Sequence, residues 1–290
     1  MFKKSSLLFT IAMSLFAYST MNAVFFYNKI LLKKDIAVIL LGDAHYAGTI
    51  QQARTQQSEV VQIAQRLHAH CFVEDFDNPG QFNSPVLSQI KTVNTTDRSP
   101  LTNLYGILFK NNVGVTNSEF RQFSNTNKLY HDGICYEIIK KIKSCPLYKK
   151  HKTFAHYANE AIKSLYSKKY ESVPYPLNQM IPEINLFDVN MFCDFYSALV
   201  NNKNNVFIFC AGAGHLEGIS KIIKTVLNFN EVHESTNFKT NVLEDIYKFS
   251  KVNTIGASEL KLREYAEQNS LNLRELLAPF LSQQKPMSKL

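Results

Sequence analysis

His45 and His215 stand in matching surroundings at two distant points of the chain. Ile36 to Leu41 (IAVILL) is an apolar run that breaks into Gly42-Asp43-Ala44-His45. Val206 to Cys210 (VFIFC) is another, and it breaks into Gly212-Ala213-Gly214-His215. Neutral imidazole is the commonest metal ligand and a natural proton shuttle near neutral pH. A single histidine beyond a strand is more often structural, but two in the same Gly-x-x-His setting point to a shared site. Glycine permits turns closed to other residues and lets a ligand approach the backbone. Gly42, Gly212 and Gly214 therefore read as supporting residues on loosened turns. Gly212, Gly214 and Gly218 surround His215, and a helix starting there would offer backbone N–H groups to an anion.

Carboxylates come next. Glu74 and Asp75 close the strand-like run Cys71-Phe72-Val73. A carboxylate there completes a metal site or acts as general base on water. The competing reading is a strand end facing solvent, which is preferred for Asp75 and evenly balanced for Glu74. Glu119 and Arg121 share one face of a strand read over residues 113–120. They form either an ion pair or a grip on a substrate carboxylate or phosphate. Asp43 either orients His45 or serves the metal, or else makes a local turn hydrogen bond. His68, His70, His131, His151, His156 and His233 fall on helices or loops without partners at ligand spacing. No nucleophile elbow, P-loop, dinucleotide fingerprint or His-Glu-x-x-His helix occurs.

The elements that must position these residues alternate. After the first apolar run, Thr49 with Gln52 makes a capping box. Ile50, Ala53, Val60, Ala64 and Leu67 then recur on one helical face as far as about His70. Strand, helix, strand implies a parallel pair with a right-handed crossover. Residues 77–100 read as a lid or binding loop, 101–110 as a helix, and 133–169 as helical with a break at Pro146. Residues 170–183, with three prolines, read as a connector, and 184–201 as a helix with Leu186, Val189, Phe192 and Leu199 on its apolar positions. A helix from Leu216 to Leu227, a short strand opened by Val232 and a helix over 260–281 complete the pattern. The expectation is an α/β fold with a mixed, mostly parallel sheet flanked by helices. Ligands in such folds collect at the carboxyl ends of the strands.

The 290 residues are 45% apolar and 19% charged, which suits one α/β domain over 24–282 with a polar tail at 283–290. Lys3 and Lys4 precede a short apolar stretch, Leu7 to Tyr18. That stretch is too short for a membrane span of about 20 residues. Residues 1–23 read as a secretory signal, in which Ala17-Tyr18-Ser19 fits the cleavage rule better than Met21-Asn22-Ala23, or as an uncleaved anchor, and the fold reading sets the first 25 aside. The protein is thus expected to be exported to the periplasm, cell envelope or exterior, with membrane attachment only through that segment. The net charge of +8 comes mainly from lysines densest between Lys140 and Lys152. Without interleaved Arg or a binding motif they read as a solvated helix face, not a nucleic-acid surface. Cys71, Cys193 and Cys210 read as small core residues. Cys135 and Cys145 are able to pair in an exported protein, and no Cys-x-x-Cys is present.

Together these motifs resemble the superfamily of erythromycin-esterase-like proteins, haem-binding ChaN lipoproteins and the TraB/Tiki/GumN group. Leu40-Leu41-Gly42-Asp43-Ala44-His45 resembles its amino-terminal motif, where ChaN-like members carry Gly-Glu-x-His. Val73-Glu74-Asp75 is similar to its acidic strand end, and Glu119-Phe120-Arg121 to a Glu and Arg found between the motifs. Ala211 to Gly218 (AGAGHLEG) is similar to the carboxyl-terminal motif of TraB/Tiki proteins and is the most specific match. The resemblance spans Ile36 to Asn228, with Asp43 departing from the Thr or Glu of the better-known patterns. It implies both histidines in one cleft. It also implies a metal-dependent hydrolase of peptides or esters, in which His45, His215 and Glu74 hold a divalent ion (Mn, Co or Zn) and its water. Glu74 or Glu119 would take the proton, and Arg121 would orient the substrate or stabilise developing negative charge. The alternative is a non-catalytic protein that binds haem or a small anionic ligand in the same cleft, with Tyr46 beside His45. A third reading is a secreted interaction protein that keeps only the scaffold.

Overall fold

Side chains alternate between two apolar layers along the central strands, and that alternation organises the molecule. The computed structural model describes residues 23–45, 50–74, 104–118, 128–166, 177–201, 204–234, 268 and 270–283. Strands β1 (Ala23–Lys33), β2 (Ile36–His45), β3 (His70–Val73), β4 (Gly114–Asn117), β5 (Val206–Gly212) and β6 (Asn230–Glu234) form one sheet of order β4-β3-β5-β2-β1-β6. The first four strands in that order run parallel, while β1 pairs antiparallel with β2 and with β6. The expected α/β class with a mixed, mostly parallel sheet is what forms.

Helices cover both faces, as buried parallel strands require. On one face Val206, Ile208 and Cys210 of β5 pack with Ile39 and Leu41 against α1 (Ile50–Arg66), α2 (Leu104–Lys110) and α8 (Leu273–Gln283). On the other, Phe207, Phe209 and Ala211 pack with Val38 and Leu40 against α3 (Lys128–Ser144), α5 (Lys152–Leu165), α6 (Leu177–Asn201) and α7 (Ala213–Leu227). A five-residue helix, α4 (Pro146–Lys150), joins α3 to α5. The second face is aromatic: Phe72 stacks on Phe209 with centroids 4.8 Å apart, and Phe195 meets Phe207 edge-on at 5.2 Å.

Four expectations change. The strand–helix–strand unit is not a neighbouring pair, because β5 lies between β2 and β3 and hydrogen-bonds to both. The residues set aside with the leader reach into the fold: β1 starts at Ala23, and Phe25 is buried. An apolar run without turn signals before it looks like the end of a leader, so only its pairing with β2 reveals it as a strand. Residues 170–183 are not wholly a connector, since α6 begins at Leu177 and carries Pro182 within its helical backbone. A proline removes one backbone donor there without ending the helix. The third strand is shorter than read, ending at Asn117. The 77–100 loop and the two candidate residues Glu119 and Arg121 lie outside the described residues, as does Asp75. No helix among the described residues is long and apolar enough to cross a membrane.

Candidate functional site

The two motif strands are direct neighbours. In the β2–β5 ladder Gly42 pairs with Ala211 and Asp43 with Gly212. The helices that follow them leave on opposite faces, α1 on one and α7 on the other. Adjacent parallel strands whose helices diverge leave a crevice at their carboxyl ends, the usual ligand position in open α/β sheets. Neither motif is a turn, however. Strand β2 continues through His45, and Ala213-Gly214-His215 is the first turn of α7. Of Ala44 and His45 the backbone alone is described.

Glu74 reaches this crevice from the other side of β5. Its N–H donates to the Cys210 carbonyl at 3.0 Å, so the β3–β5 pairing continues one residue past β3. Its side chain is fully buried, which removes the solvent-facing reading. One carboxylate oxygen, Oε2, accepts the Gly212 N–H at 2.8 Å. The helix-start N–H expected to meet an external anion is therefore held by the protein's own carboxylate. The other oxygen, Oε1, lies 3.7 Å from His215 Nε2.

His215 is buried and fixed from behind. Its Nδ1 is 2.7 Å from Asp188 Oδ1 on α6, and its ring lies 4.5 Å from that of Phe187. Asp188 was not among the residues singled out by sequence. The signal available was an acidic residue inside an apolar helical run, Leu186-Phe187-Asp188-Val189. A carboxylate on one imidazole nitrogen sets the ring's orientation and directs the other nitrogen at whatever it serves. Here Nε2 faces Glu74, giving a continuous line Asp188–His215–Glu74–Gly212 through the end of β5.

Gly42 and Gly218 serve this packing. A Cβ on Gly218 would fall 2.0 Å from Asp188 Oδ2, so only glycine lets α7 accept that carboxylate. A Cβ on Gly42 would lie 2.8 Å from the Tyr27 ring and 3.0 Å from Ala213 Cα, so Gly42 lets α7 and β1 close on β2. Gly212 has an ordinary φ of −54°, and a Cβ on Gly214 would meet nothing within 4 Å. Gly214 needs no glycine for its packing.

Polar anchors surround the site. Ser118 Oγ donates to Asp194 at 2.8 Å, Asn190 Nδ2 donates to the Ser118 carbonyl at 3.0 Å, and Lys141 pairs with Asp194 at 2.6 Å. The chain just ahead of Glu119 is thereby tied to α6. On the β1 side the Tyr27 hydroxyl donates to Glu217, and buried Lys29 bridges Glu217 at 3.2 Å and Glu231 at 3.5 Å. Two of the histidines read as incidental take structural roles. His70 lies on β3 with Nε2 2.9 Å from Thr116 Oγ1, and His151 caps α5 by accepting the Phe154 N–H. A cleft of about 490 Å³ opens between α5, α6 and α7, lined by Tyr157, Asn185, Asp188, Gly218 and Lys221 among others. Neither His215 nor Glu74 lines it; it adjoins the site at Asp188 and Gly218.

Among the described residues, no group of three or more His, Cys, Asp or Glu is gathered closely enough to hold a metal ion. No family model, curated protein or solved structure matches this chain.

Proposed function

We propose that this chain is a metal-dependent hydrolase of the TraB/Tiki, ChaN and erythromycin-esterase-like type, exported to the cell envelope or exterior. The observation that carries the reading is the buried Asp188–His215–Glu74 line at the carboxyl end of β5. Two donors bound at about 2.1 Å to one tetrahedral ion lie about 3.4 Å apart. The 3.7 Å between His215 Nε2 and Glu74 Oε1 fits such a pair, and Asp188 behind the ring is the usual outer partner of a ligating histidine. The donor set is imidazole and carboxylate, which suits Mn, Co or Zn.

In this reading His215 and Glu74 hold the ion, and His45, the last residue of β2, adds a further donor. A bound ion of this kind supplies an activated water and polarises the bond to be cleaved. The chain's own groups do the rest. Asp188 keeps Nε2 of His215 directed at Glu74. The Gly212 N–H holds Glu74 in place through one oxygen and leaves the other toward His215. Glu119 takes the proton and Arg121 orients a peptide or ester carbonyl.

The test is elemental analysis of the purified chain beside His45→Ala and His215→Ala variants, after supplementation with manganese, cobalt or zinc. About one transition-metal ion per chain, lost in each variant with circular dichroism unchanged, is the expected result. Equal metal in all three proteins would overturn the proposal. If no metal is present and haemin titration gives a strong visible band lost in the His215 variant, the site is instead a non-catalytic haem site.

A further inference from the structure

Positive charge gathers at one corner of the molecule. Residues 140–152 (KKIKSCPLYKKHK) hold six lysines and one histidine, with no Asp or Glu among them. They span the end of α3, the whole of α4 and the first residue of α5. Backbone hydrogen bonds fix the corner. The Cys145 N–H donates to the Lys141 carbonyl at 3.1 Å, the Tyr148 N–H to the Cys145 carbonyl at 2.9 Å, and the His151 N–H to the Leu147 carbonyl at 2.8 Å. The Tyr148 hydroxyl donates to Asn159 at 2.7 Å, which closes α4 on α5.

Packing sorts these residues. Ile134, Cys135, Ile138, Ile142 and Cys145 are buried along one side of α3 and the corner, and the two cysteines are free thiols that do not pair. Tyr136, Lys140 and Lys143 are spaced by four and three residues, so they form a stripe on the other side of α3. Tyr136 is 64% exposed and the Lys140 side chain 67%. Lys143, Lys149, Lys150 and Lys152 are exposed as well, and follow the stripe round the corner. Lys141 differs, because it pairs with Asp194 on α6. Lys140 has a loose pair with Glu137 at 3.9 Å. Among the described residues no carboxylate pairs with Lys143, Lys149, Lys150 or Lys152. A cation near the carbonyl end of a helix is favourable, which accounts for a lysine at the end of α3 and of α4. Five exposed lysines exceed that need, and they repel one another.

The geometry points to this corner as a docking surface for an anionic lipid bilayer, with Tyr136 at headgroup level beside the lysines. The residue types favour that partner over nucleic acid. No Arg lies between Arg121 and Arg263. Arg grips single phosphates and bases with a planar fork, whereas Lys is a point charge on a flexible stem. A cluster of lysines suits a diffuse negative surface, and tyrosine is an amphipathic ring of the membrane interface. The contact is peripheral and electrostatic. It is a second attachment besides residues 1–23, and it does not depend on what the crevice holds.

The test is sedimentation of the full chain with vesicles of phosphatidylcholine mixed with phosphatidylglycerol, and with vesicles of phosphatidylcholine alone. The chain should favour the anionic vesicles, and added salt should erase the preference. Each lysine near such a surface changes partitioning by about fivefold, so Lys149→Gln/Lys150→Gln/Lys152→Gln should weaken binding on the order of 100-fold. Lys34→Gln/Lys110→Gln/Lys221→Gln removes the same charge from exposed lysines elsewhere and should cost less than about fivefold. Parent and variants all keep residues 1–23, so binding by that segment is common to them. If it alone holds every variant on the vesicles, acetylation of lysines read by mass spectrometry decides. Anionic vesicles should then shield Lys143, Lys149, Lys150 and Lys152 and leave Lys34 and Lys110 open. Equal losses in the two triple variants, or equal acetylation with and without vesicles, would overturn the inference. So would tighter binding to duplex DNA than to the anionic vesicles.

Discussion

Asp188 contributes its carboxylate to the ring of a histidine it does not follow in sequence, and its value lies in orientation. It meets His215 at Nδ1, so changing it alters how firmly Nε2 is aimed. Asp188→Asn preserves size while removing the charge behind the ring. We expect metal affinity to fall by about 10-fold, within the usual range for outer partners of ligating histidines. Competition with a chelating indicator measures this. Unchanged affinity would show that Asp188 acts only in packing α6 against α7. The same residue also explains Gly218, whose missing side chain is the space Asp188 Oδ2 occupies. Glycine in this motif reads from sequence as freedom for a ligand, whereas the contact is with another part of the protein.

At the scale of elements, β1 is the piece that sequence patterning concealed, and its attachment is specific. Gln56, buried on α1, accepts the Phe25 N–H at 2.7 Å and donates to the Phe25 carbonyl at 3.1 Å and the Leu271 carbonyl at 2.9 Å. Leu271 also donates to the Phe25 carbonyl at 2.9 Å. One side chain thus joins α1, β1 and the residues leading into α8 at the irregular pairing between Phe25 and Tyr27. Gln56→Ala would leave the Phe25 N–H buried without that acceptor. Its unfolding free energy in urea should drop by about 2–3 kcal/mol, the cost of stranding buried backbone groups. A change below about 0.5 kcal/mol would mean that water replaces the amide. Elsewhere the elements were readable because their periodicities are strong. The unbroken apolar runs of β2 and β5 mark strands buried on both faces, and Leu186, Val189 and Phe192 on α6 lie in the core as read. Their order in the sheet was not readable, since β2 and β3 are near in sequence while β5 separates them in space.

For the whole molecule, acid should weaken the fold in two windows. Burial, partly offset by the charge of Asp194, lowers the His70 pKa from 6.5. The unfolded chain then takes up a proton first, so this stability is present above 6.5 and is lost as the pH falls toward the folded value. Glu231 has a pKa below 4.5: burial acts upward, but the hydrogen bond from Lys224 and the charge of Lys29 outweigh it. Its contribution is present above 4.5 and is lost as pH falls through the lower folded value. Urea midpoints followed from pH 8 to pH 3 should therefore decline first below about 6.5 and again below about 4.5. Glu231→Gln should flatten the second decline while leaving the first. A midpoint that stays level between pH 7 and pH 5 would contradict the assignment to His70.

By itself the sequence determined the fold class, the buried runs of the principal strands, and a Gly-x-x-His segment at the end of each of two of them. Hydrophobic periodicity and local turn chemistry are short-range properties, so they are legible in a linear chain. Only the tertiary structure decided that β5 stands between β2 and β3, and that β1 completes the sheet. It also brought Asp188 to His215 and Glu74 to the Gly212 N–H. All but the β1–β2 hairpin are contacts between elements far apart in the chain. They depend on which strands pair and how closely two backbones approach, and no window of neighbouring residues carries that information.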